Sequence, residues 1–304
     1  MDRRSALKVL ATGAACAGGV CSATRPAKAS TPKTDPSKAV GMLYDTTKCI
    51  GCKACVVACS EANGLKADTG ESGGLHQAPA TLNASTKNLI KLYRDGGDES
   101  YMKAQCMHCI DPACMSACMV GALRKDERGI VWWNGDWCVG CRYCQVACPF
   151  EVPKFEWESA NPRIVKCEMC RHRLDAGLIP ACCDVCPREA VIYGKREELL
   201  AEAHRRLKES PQTYVQKVYG ETDGGGTQVL YLAHVDFEKL GLPKLGDEPV
   251  PETVRNVQGT VYYGFLAPLA LFGGLSMLIR RNHQKEPAAP DEPAPGGPHG
   301  RKEG

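Results

Sequence analysis

The sequence predicts an α+β fold made of short β-hairpins and short helices in two similar halves, followed by one C-terminal transmembrane helix. Three observations lead to this fold class. The chain has 304 residues but only five Phe, which is too few for an ordinary large aromatic-rich core. Sixteen of its 19 cysteines recur in groups that share one spacing. A long stretch near the C-terminus carries no charge.

Residues 1–29 are predicted to form a twin-arginine-type signal peptide. Arg3-Arg4, followed by Leu7-Lys8, precedes a weakly apolar stretch rich in Ala and Gly. Ala27-Lys28-Ala29 fits an A-x-A cleavage site. A general secretory signal is the alternative, because such signals often begin with two arginines. The cysteine pattern described next favours the twin-arginine route, which exports proteins that are already folded.

Four groups of four cysteines occupy the central part of the sequence. Every group begins C-x2-C and ends C-x3-C, and only the middle gap varies in length. A fixed outer spacing used four times is an internal repeat, so it indicates one kind of site used four times. The groups are Cys49, Cys52, Cys55 and Cys59; Cys106, Cys109, Cys114 and Cys118; Cys138, Cys141, Cys144 and Cys148; and Cys167, Cys170, Cys182 and Cys186.

The spacing discriminates among three kinds of cysteine site. Disulfides fit poorly, because cysteines two residues apart rarely meet the geometry of the bond, and the seventeen cysteines after the signal cannot all pair. Structural zinc fits better, but zinc sites usually join two separated pairs of cysteines. The run C-x2-C-x2-C-x3-C-P at residues 138–149 is typical of a [4Fe-4S] cluster whose fourth cysteine ligates a neighbouring cluster. The pattern favours four [4Fe-4S] clusters, with a zinc scaffold as the alternative.

Metal binding would then supply folding energy that a small apolar core cannot. The segments between the cysteines predict short elements. The stretch "GALRKDERGIVWW", residues 121–133, predicts a hairpin with its turn ending at Gly129. "AVIYG", residues 190–194, predicts a strand, and "KREELLAEAHRRL", residues 195–207, predicts a surface helix with an apolar stripe for packing.

Residues 256–279 carry no charge and predict one transmembrane anchor. A helix of this length spans about 36 Å, enough for a bilayer core of about 30 Å. Arg280, Arg281 and Lys285 follow it, so the positive-inside rule places the C-terminus in the cytoplasm. Pro268 and several glycines leave a buried hairpin in a soluble domain as the alternative. Residues 280–304 have the composition of a disordered cytoplasmic tail, and residues 201–255 form a C-terminal extension before the anchor.

The net charge of the chain and the motifs it lacks exclude two classes of function, nucleic-acid binding and catalysis, from the expected ones. The formal net charge is +3, and no stripe of Lys and Arg alternates with aromatic residues, so nucleic acid is not an expected partner. The sequence shows no catalytic triad, no paired carboxylates and no phosphate-binding loop of the Walker type. A non-catalytic role is expected.

Across residues 41–200 the chain resembles the four-cluster, ferredoxin-like electron-transfer subunits of membrane-bound respiratory oxidoreductases. The resemblance lies in "GMLYDTTKCIGCKACVVAC", "KAQCMHCIDPAC" and "CVGCRYCQVACPFEVPK". "DGGGTQVLYL" and the C-terminal helix ending in "RRN" make it most similar to the subunit type of periplasmic nickel-iron uptake hydrogenases. This resemblance implies two pseudo-repeated bacterial-ferredoxin-like cluster-binding modules within one domain.

The family's ligation pattern, transferred to the matching positions, implies four crossed sets of iron ligands. Cys183 is then the one thiol left over, because choosing Cys182 preserves the three-residue step to Cys186. The implied sets are Cys49, Cys52, Cys55 and Cys186; Cys59, Cys167, Cys170 and Cys182; Cys106, Cys109, Cys114 and Cys148; and Cys118, Cys138, Cys141 and Cys144.

The resemblance also implies a function. The chain would sit on the periplasmic face of the inner membrane as a single-pass protein. It would pass electrons from a hydrogenase small subunit, itself bound to the large subunit, to an integral membrane quinone-reactive subunit. The alternative is the same role beside a molybdopterin oxidoreductase of the formate, polysulfide or sulfoxide type. A freely diffusing ferredoxin-like shuttle is disfavoured by the predicted anchor.

Overall fold

The computed structural model describes residues 36–66, 81–159 and 162–283. The predicted signal peptide lies outside the described residues, as does most of the predicted tail. The chain divides into two compact units. One spans residues 29–255, and the other contains residues 256–283.

The first unit consists of many short elements, as the sequence predicts. Its strands are β1 (Val40–Asp45), β2 (Asn88–Asp95), β3 (Asp98–Gln105), β4 (Leu123–Lys125), β5 (Val131–Trp133), β6 (Lys154–Phe155), β7 (Ile164–Val165), β8 (Val191–Lys195) and β9 (Val229–Leu232). Its helices are α1 (Ala54–Ala62), α2 (Ala113–Ser116), α3 (Tyr143–Ala147), α4 (Arg171–Asp175), α5 (Ala181–Asp184) and α6 (Arg196–Glu209). Single turns of 3-10 helix occur at Pro36–Lys38, Gly135–Trp137 and Asp223–Gly225.

A three-stranded sheet in the order β8-β1-β9 organises this unit. The central strand β1 runs antiparallel to β8 and parallel to β9, so Met42 lies between Tyr193 and Val229. All four residues of β9 are buried. One face of the sheet is covered by α6, whose residues Leu199, Ala203 and Leu207 pack with Leu43, Leu230 and Leu232. Helix α6 and strand β8 confirm the helix and the strand predicted from the sequence.

Short hairpins surround the sheet. Strands β4 and β5 pair antiparallel, with Leu123 opposite Trp133, which confirms the predicted hairpin. Strands β6 and β7 form a two-residue hairpin. The longer hairpin β2-β3 is held against the sheet by two tyrosine hydroxyls. Tyr44 donates to the carbonyl of Tyr101 at 2.7 Å, and Tyr231 donates to the carbonyl of Lys103 at 2.7 Å.

Two glycines that face each other across β1 and β8 differ in the space around them. An added Cβ at Gly41 would lie 2.2 Å from the backbone oxygen of Gln228, whereas one at Gly194 would make only ordinary contacts, the nearest with the side chain of Leu199 at 3.6 Å. We therefore expect Gly41→Ala to destabilise the fold by roughly 1–3 kcal/mol through overpacking. Thermal unfolding of the two alanine variants is the measurement, and Gly194→Ala is the control expected to melt like the wild type. Equal melting temperatures for both variants would contradict the close approach.

The C-terminal element is one continuous helix, α7 (Val250–His283), with Pro268 inside it. Residues Gly264–Asn282 are long and apolar enough to cross a membrane. Phe265, Leu269 and Met277 along it are exposed. This C-terminal segment is thus a single helix with an exposed apolar stretch rather than a buried hairpin.

Candidate metal centres

The first and third cysteine groups share a backbone conformation. Gly51 and Gly140, each between the first two cysteines of its group, both have φ of +68°. Lys53 and Arg142, two residues further on, are also left-handed, with φ of 56° and 64°, and lead into α1 and α3. Glycine adopts such a φ without a steric penalty, so the chain can wrap three cysteines around one space.

The second and fourth groups share a different local structure. Pro112 and Pro180 precede the short helices α2 and α5, which carry the third cysteine of each group. Four residues beyond the last cysteine, a backbone N–H points at its sulfur. Ala122 N lies 3.2 Å from Cys118 Sγ, and Ala190 N lies 3.3 Å from Cys186 Sγ. Such N–H groups stabilise negative charge on sulfur.

Two four-cysteine sets line small, mainly apolar cavities. Site one, walled by Tyr44, Ile90 and Val191, is formed by Cys49, Cys52, Cys55 and Cys186. Site four, walled by Leu123, Trp133 and Ile164, is formed by Cys118, Cys138, Cys141 and Cys144. In each cavity, one cysteine comes from a group distant in sequence from the other three.

The other cysteines of the four groups form two further sets, which are more deeply buried. Asn63 Nδ2 lies 3.6 Å from Cys59 Sγ and 4.0 Å from Cys170 Sγ, which brings the first and fourth groups together. Burial, together with the neighbouring thiols, raises the pKa of Cys59 to about 12. Site two is this set of Cys59, Cys167, Cys170 and Cys182, and site three is the set of Cys106, Cys109, Cys114 and Cys148, whose thiols interact electrostatically.

Each site adjoins the next in the order one, two, three, four, and this succession is called the line of sites below. Sites one and two meet where the thiols of Cys55 and Cys182 interact. Sites two and three meet at Cys167 and Cys106, and sites three and four meet at Cys114 and Cys144. Exposed cysteines occur at the two ends, Cys52 in site one and Cys141 in site four, whereas those of sites two and three are buried or half-buried.

Two lysines that no sequence pattern singled out are buried among these sites. Lys103 on β3 is 0% exposed, and among the described residues its ammonium has no hydrogen-bond partner. Burial lowers the pKa of Lys103, but the charge of the surrounding thiolates outweighs burial and raises it overall. Lys166 donates to the backbone oxygens of Val131 and Cys167 and lies 3.9 Å from Cys106 Sγ.

These features fit a bound anionic cluster of the kind that four thiolates hold. The unpaired ammonium of Lys103 and the N–H groups directed at sulfur both favour bound negative charge.

Comparison with known proteins agrees with this geometry. A 4Fe-4S dicluster domain matches residues 98–196, and a 4Fe-4S binding domain matches residues 40–61. The chain is therefore an iron–sulfur protein of the 4Fe-4S ferredoxin-like class.

Its relatives make the assignment narrower. The chain is 40% identical to the Hydrogenase-2 operon protein HybA of Escherichia coli O157:H7, over 94% of this chain and 97% of that protein. The HybA protein of Shigella flexneri matches to the same extent. The iron-sulfur subunit of the nitrate-inducible formate dehydrogenase of Escherichia coli K12 is 37% identical, over 77% of this chain and 80% of that subunit. The chain belongs to the HybA family of iron–sulfur proteins, as the sequence resemblance predicts.

Proposed function

We propose that the chain is a non-catalytic electron-transfer subunit with four [4Fe-4S] clusters, acting between a periplasmic nickel-iron hydrogenase and an integral quinone-reactive subunit. The observation that carries the proposal is the linear order of four thiol sites with exposed cysteines at both ends. The 40% identity to HybA supports a hydrogenase partner. When bound, such clusters supply reversible one-electron transfer.

The protein's own residues hold, order and shield the sites. Sites one to four would take the four implied ligand sets, and Cys183 would remain a free thiol. The crossed sets, the matching backbones of groups one and three, and those of groups two and four support two pseudo-repeated modules within residues 41–200. Buried apolar walls exclude water from the interior sites, which keeps the electron path protected.

The two ends of the line offer surfaces for partner subunits. At site one, Ile50 is exposed beside Cys52. At site four, Trp137, Val139 and Val146 are exposed around Cys141. Exposed apolar residues near an accessible ligand favour close docking of an electron donor or acceptor, where water would otherwise intervene.

Export and anchoring would place this line on the periplasmic face of the inner membrane. The signal in residues 1–29 would direct export of the folded domain, and residues 201–255 would lead to the anchor at 256–279. The apolar part of α7, Gly264–Asn282, supports the anchor. Arg280 and Arg281 follow the predicted span and favour a cytoplasmic C-terminus with a tail at residues 280–304.

Deletion of the chain tests the function directly. Hydrogen-dependent quinone reduction by membranes is expected to be lost, while hydrogen oxidation with a soluble artificial acceptor continues, because the chain connects the catalytic subunits to quinone. Re-expression of the intact chain is the control and should restore the activity. Unchanged hydrogen-dependent quinone reduction in the deletion strain would refute the proposal.

A formate-dehydrogenase-type partner is the second candidate, favoured by the 37% identity to a formate dehydrogenase subunit. Gentle detergent purification followed by metal analysis separates the two. Nickel that co-purifies with the chain supports the hydrogenase, and molybdenum or tungsten supports the second candidate. A broad brown absorption that bleaches on reduction distinguishes both from a zinc scaffold.

A further inference from the structure

Lys103 is a buried cation that has no ion-pair partner among the described residues. It lies on β3, opposite Ile90 of β2, and is 0% exposed. Its backbone oxygen accepts the hydroxyl of Tyr231 at 2.7 Å, which fixes the strand to the central sheet. Among the described residues its ammonium makes no hydrogen bond. An uncompensated charge in such a place is costly, so its position requires negative charge nearby.

The cysteines that interact electrostatically with Lys103 belong to two different sites. The ammonium interacts with the thiolate of Cys55 in site one and with those of Cys182, Cys59 and Cys167 in site two. Lys103 is thus placed at the junction of the first two sites rather than inside either.

A second lysine occupies the next junction. Lys166 interacts with Cys167 of site two and with Cys106 and Cys114 of site three. It differs from Lys103 because its ammonium already donates to two backbone oxygens and also interacts with the carboxylate of Glu168. Its positive charge is therefore partly compensated by the protein.

We propose that Lys103 and Lys166 are shared counter-ions, each raising the reduction potentials of the two sites between which it is buried. The proposal rests on the proposed function, since it concerns clusters held at those sites. Reduction adds one electron, and hence one negative charge, to a site without making or breaking a bond. A fixed cation in a medium of low dielectric stabilises the reduced form more than the oxidised form.

Sharing the cation has a consequence for neighbouring sites. An electron on one site repels an electron on the next, and a cation between them offsets part of that repulsion. Lys103 would act on sites one and two, and Lys166 on sites two and three. The largest electrostatic interactions of both lysines with thiols are with those of sites one to three, so site four serves as an internal reference.

The test is a potentiometric titration of the purified full-length protein with its clusters, followed by electron paramagnetic resonance. Lys103→Met removes the charge and nearly preserves the shape. We expect the equilibrium constants for reduction of sites one and two to fall at least tenfold. This corresponds to a decrease in reduction potential of about 59 mV for a one-electron couple, and the potential of site four should not change. Lys166→Met should lower those of sites two and three by a smaller factor, because its charge is partly compensated.

Lys91→Met is the matched control, because Lys91 is an exposed lysine on the same hairpin and should leave all potentials at the wild-type values. The proposal for Lys103 would be overturned if a fully iron-loaded Lys103→Met protein kept the wild-type potentials or showed an equal shift at all four sites. The same two results in Lys166→Met would overturn the proposal for Lys166. If Lys103→Met loses iron, Lys103→Gln is titrated instead. Loss of iron in both would assign Lys103 to cluster assembly and overturn its tuning role.

The titration needs neither a donor nor an acceptor subunit, so it is independent of the partners in the proposed function. Shifted potentials together with unaffected quinone reduction in the deletion strain would leave the lysine inference standing and refute the proposed partners. The reverse combination would refute only the inference.

Discussion

Replacement of Cys59 by alanine is expected to damage site two and to leave site one intact. In sequence, Cys59 ends the group that contributes Cys49, Cys52 and Cys55 to site one. In the structure, Cys59 shares the amide of Asn63 with Cys170 and belongs with the cysteines of the fourth group. The variant would therefore lose or alter the cluster of site two first, and with it up to roughly one quarter of the iron.

Iron analysis and electron paramagnetic resonance of the purified protein measure this result. Cys183→Ala is the matched control, since Cys183 neighbours Cys182 yet is the one thiol outside the four sets, and it should retain the wild-type iron content. Loss of the site-one signal with retention of the site-two signal in Cys59→Ala would show that the crossed assignment is wrong.

Asp45→Ala is expected to give the largest loss of stability among substitutions outside the cysteines. Asp45 ends β1 and is 0% exposed. Its carboxylate accepts hydrogen bonds from Arg206 at 3.0 Å, from the hydroxyl of Tyr214 at 2.9 Å and from the hydroxyl of Thr47 at 2.6 Å. Removing it leaves the largely buried Arg206 with Glu202 as its only remaining ion-pair partner among the described residues. The hydroxyls of Tyr214 and Thr47 also lose their acceptor, for a total cost of about 3–5 kcal/mol.

For a domain of this size, such a loss lowers the melting temperature on the order of 10 °C. The bleaching of cluster absorbance on heating measures it. Arg205→Ala is the control on the same helix, because Arg205 is exposed and pairs only with Glu202 and Glu209 among the described residues, and its removal should leave the melting profile unchanged. An Asp45→Ala protein that melts with the wild type would contradict the role of this buried carboxylate.

The features that the sequence reveals are those encoded locally. The cysteine groups, the β4-β5 hairpin and helix α6 depend on spacings of a few residues, so pattern alone predicts them. The β2-β3 hairpin, which is absent from the sequence prediction, is also encoded locally, because Gly96-Gly97 separates two strand-like stretches. The pairing of β9 with β1 had no local signal, because the two strands are far apart along the chain.

The charged residues at the sites could not be predicted for a different reason. Lysine is almost never fully buried, so composition and pattern place Lys103 and Lys166 on the surface. Their location becomes intelligible only when the thiols of two different groups are seen to surround each of them. The sequence predicts which cysteines recur, whereas the charge environment between the sites comes from the tertiary structure.

The strand order of the central sheet also determines when the sheet can form during translation. Strand β1 leaves the ribosome early, but the strands on either side of it, β8 and β9, are translated much later. Such distant pairing makes folding slow and prevents the N-terminal part from folding by itself during synthesis. A nascent chain that stops before Leu232 cannot complete the sheet. Translation must therefore pass this residue before the sheet can close.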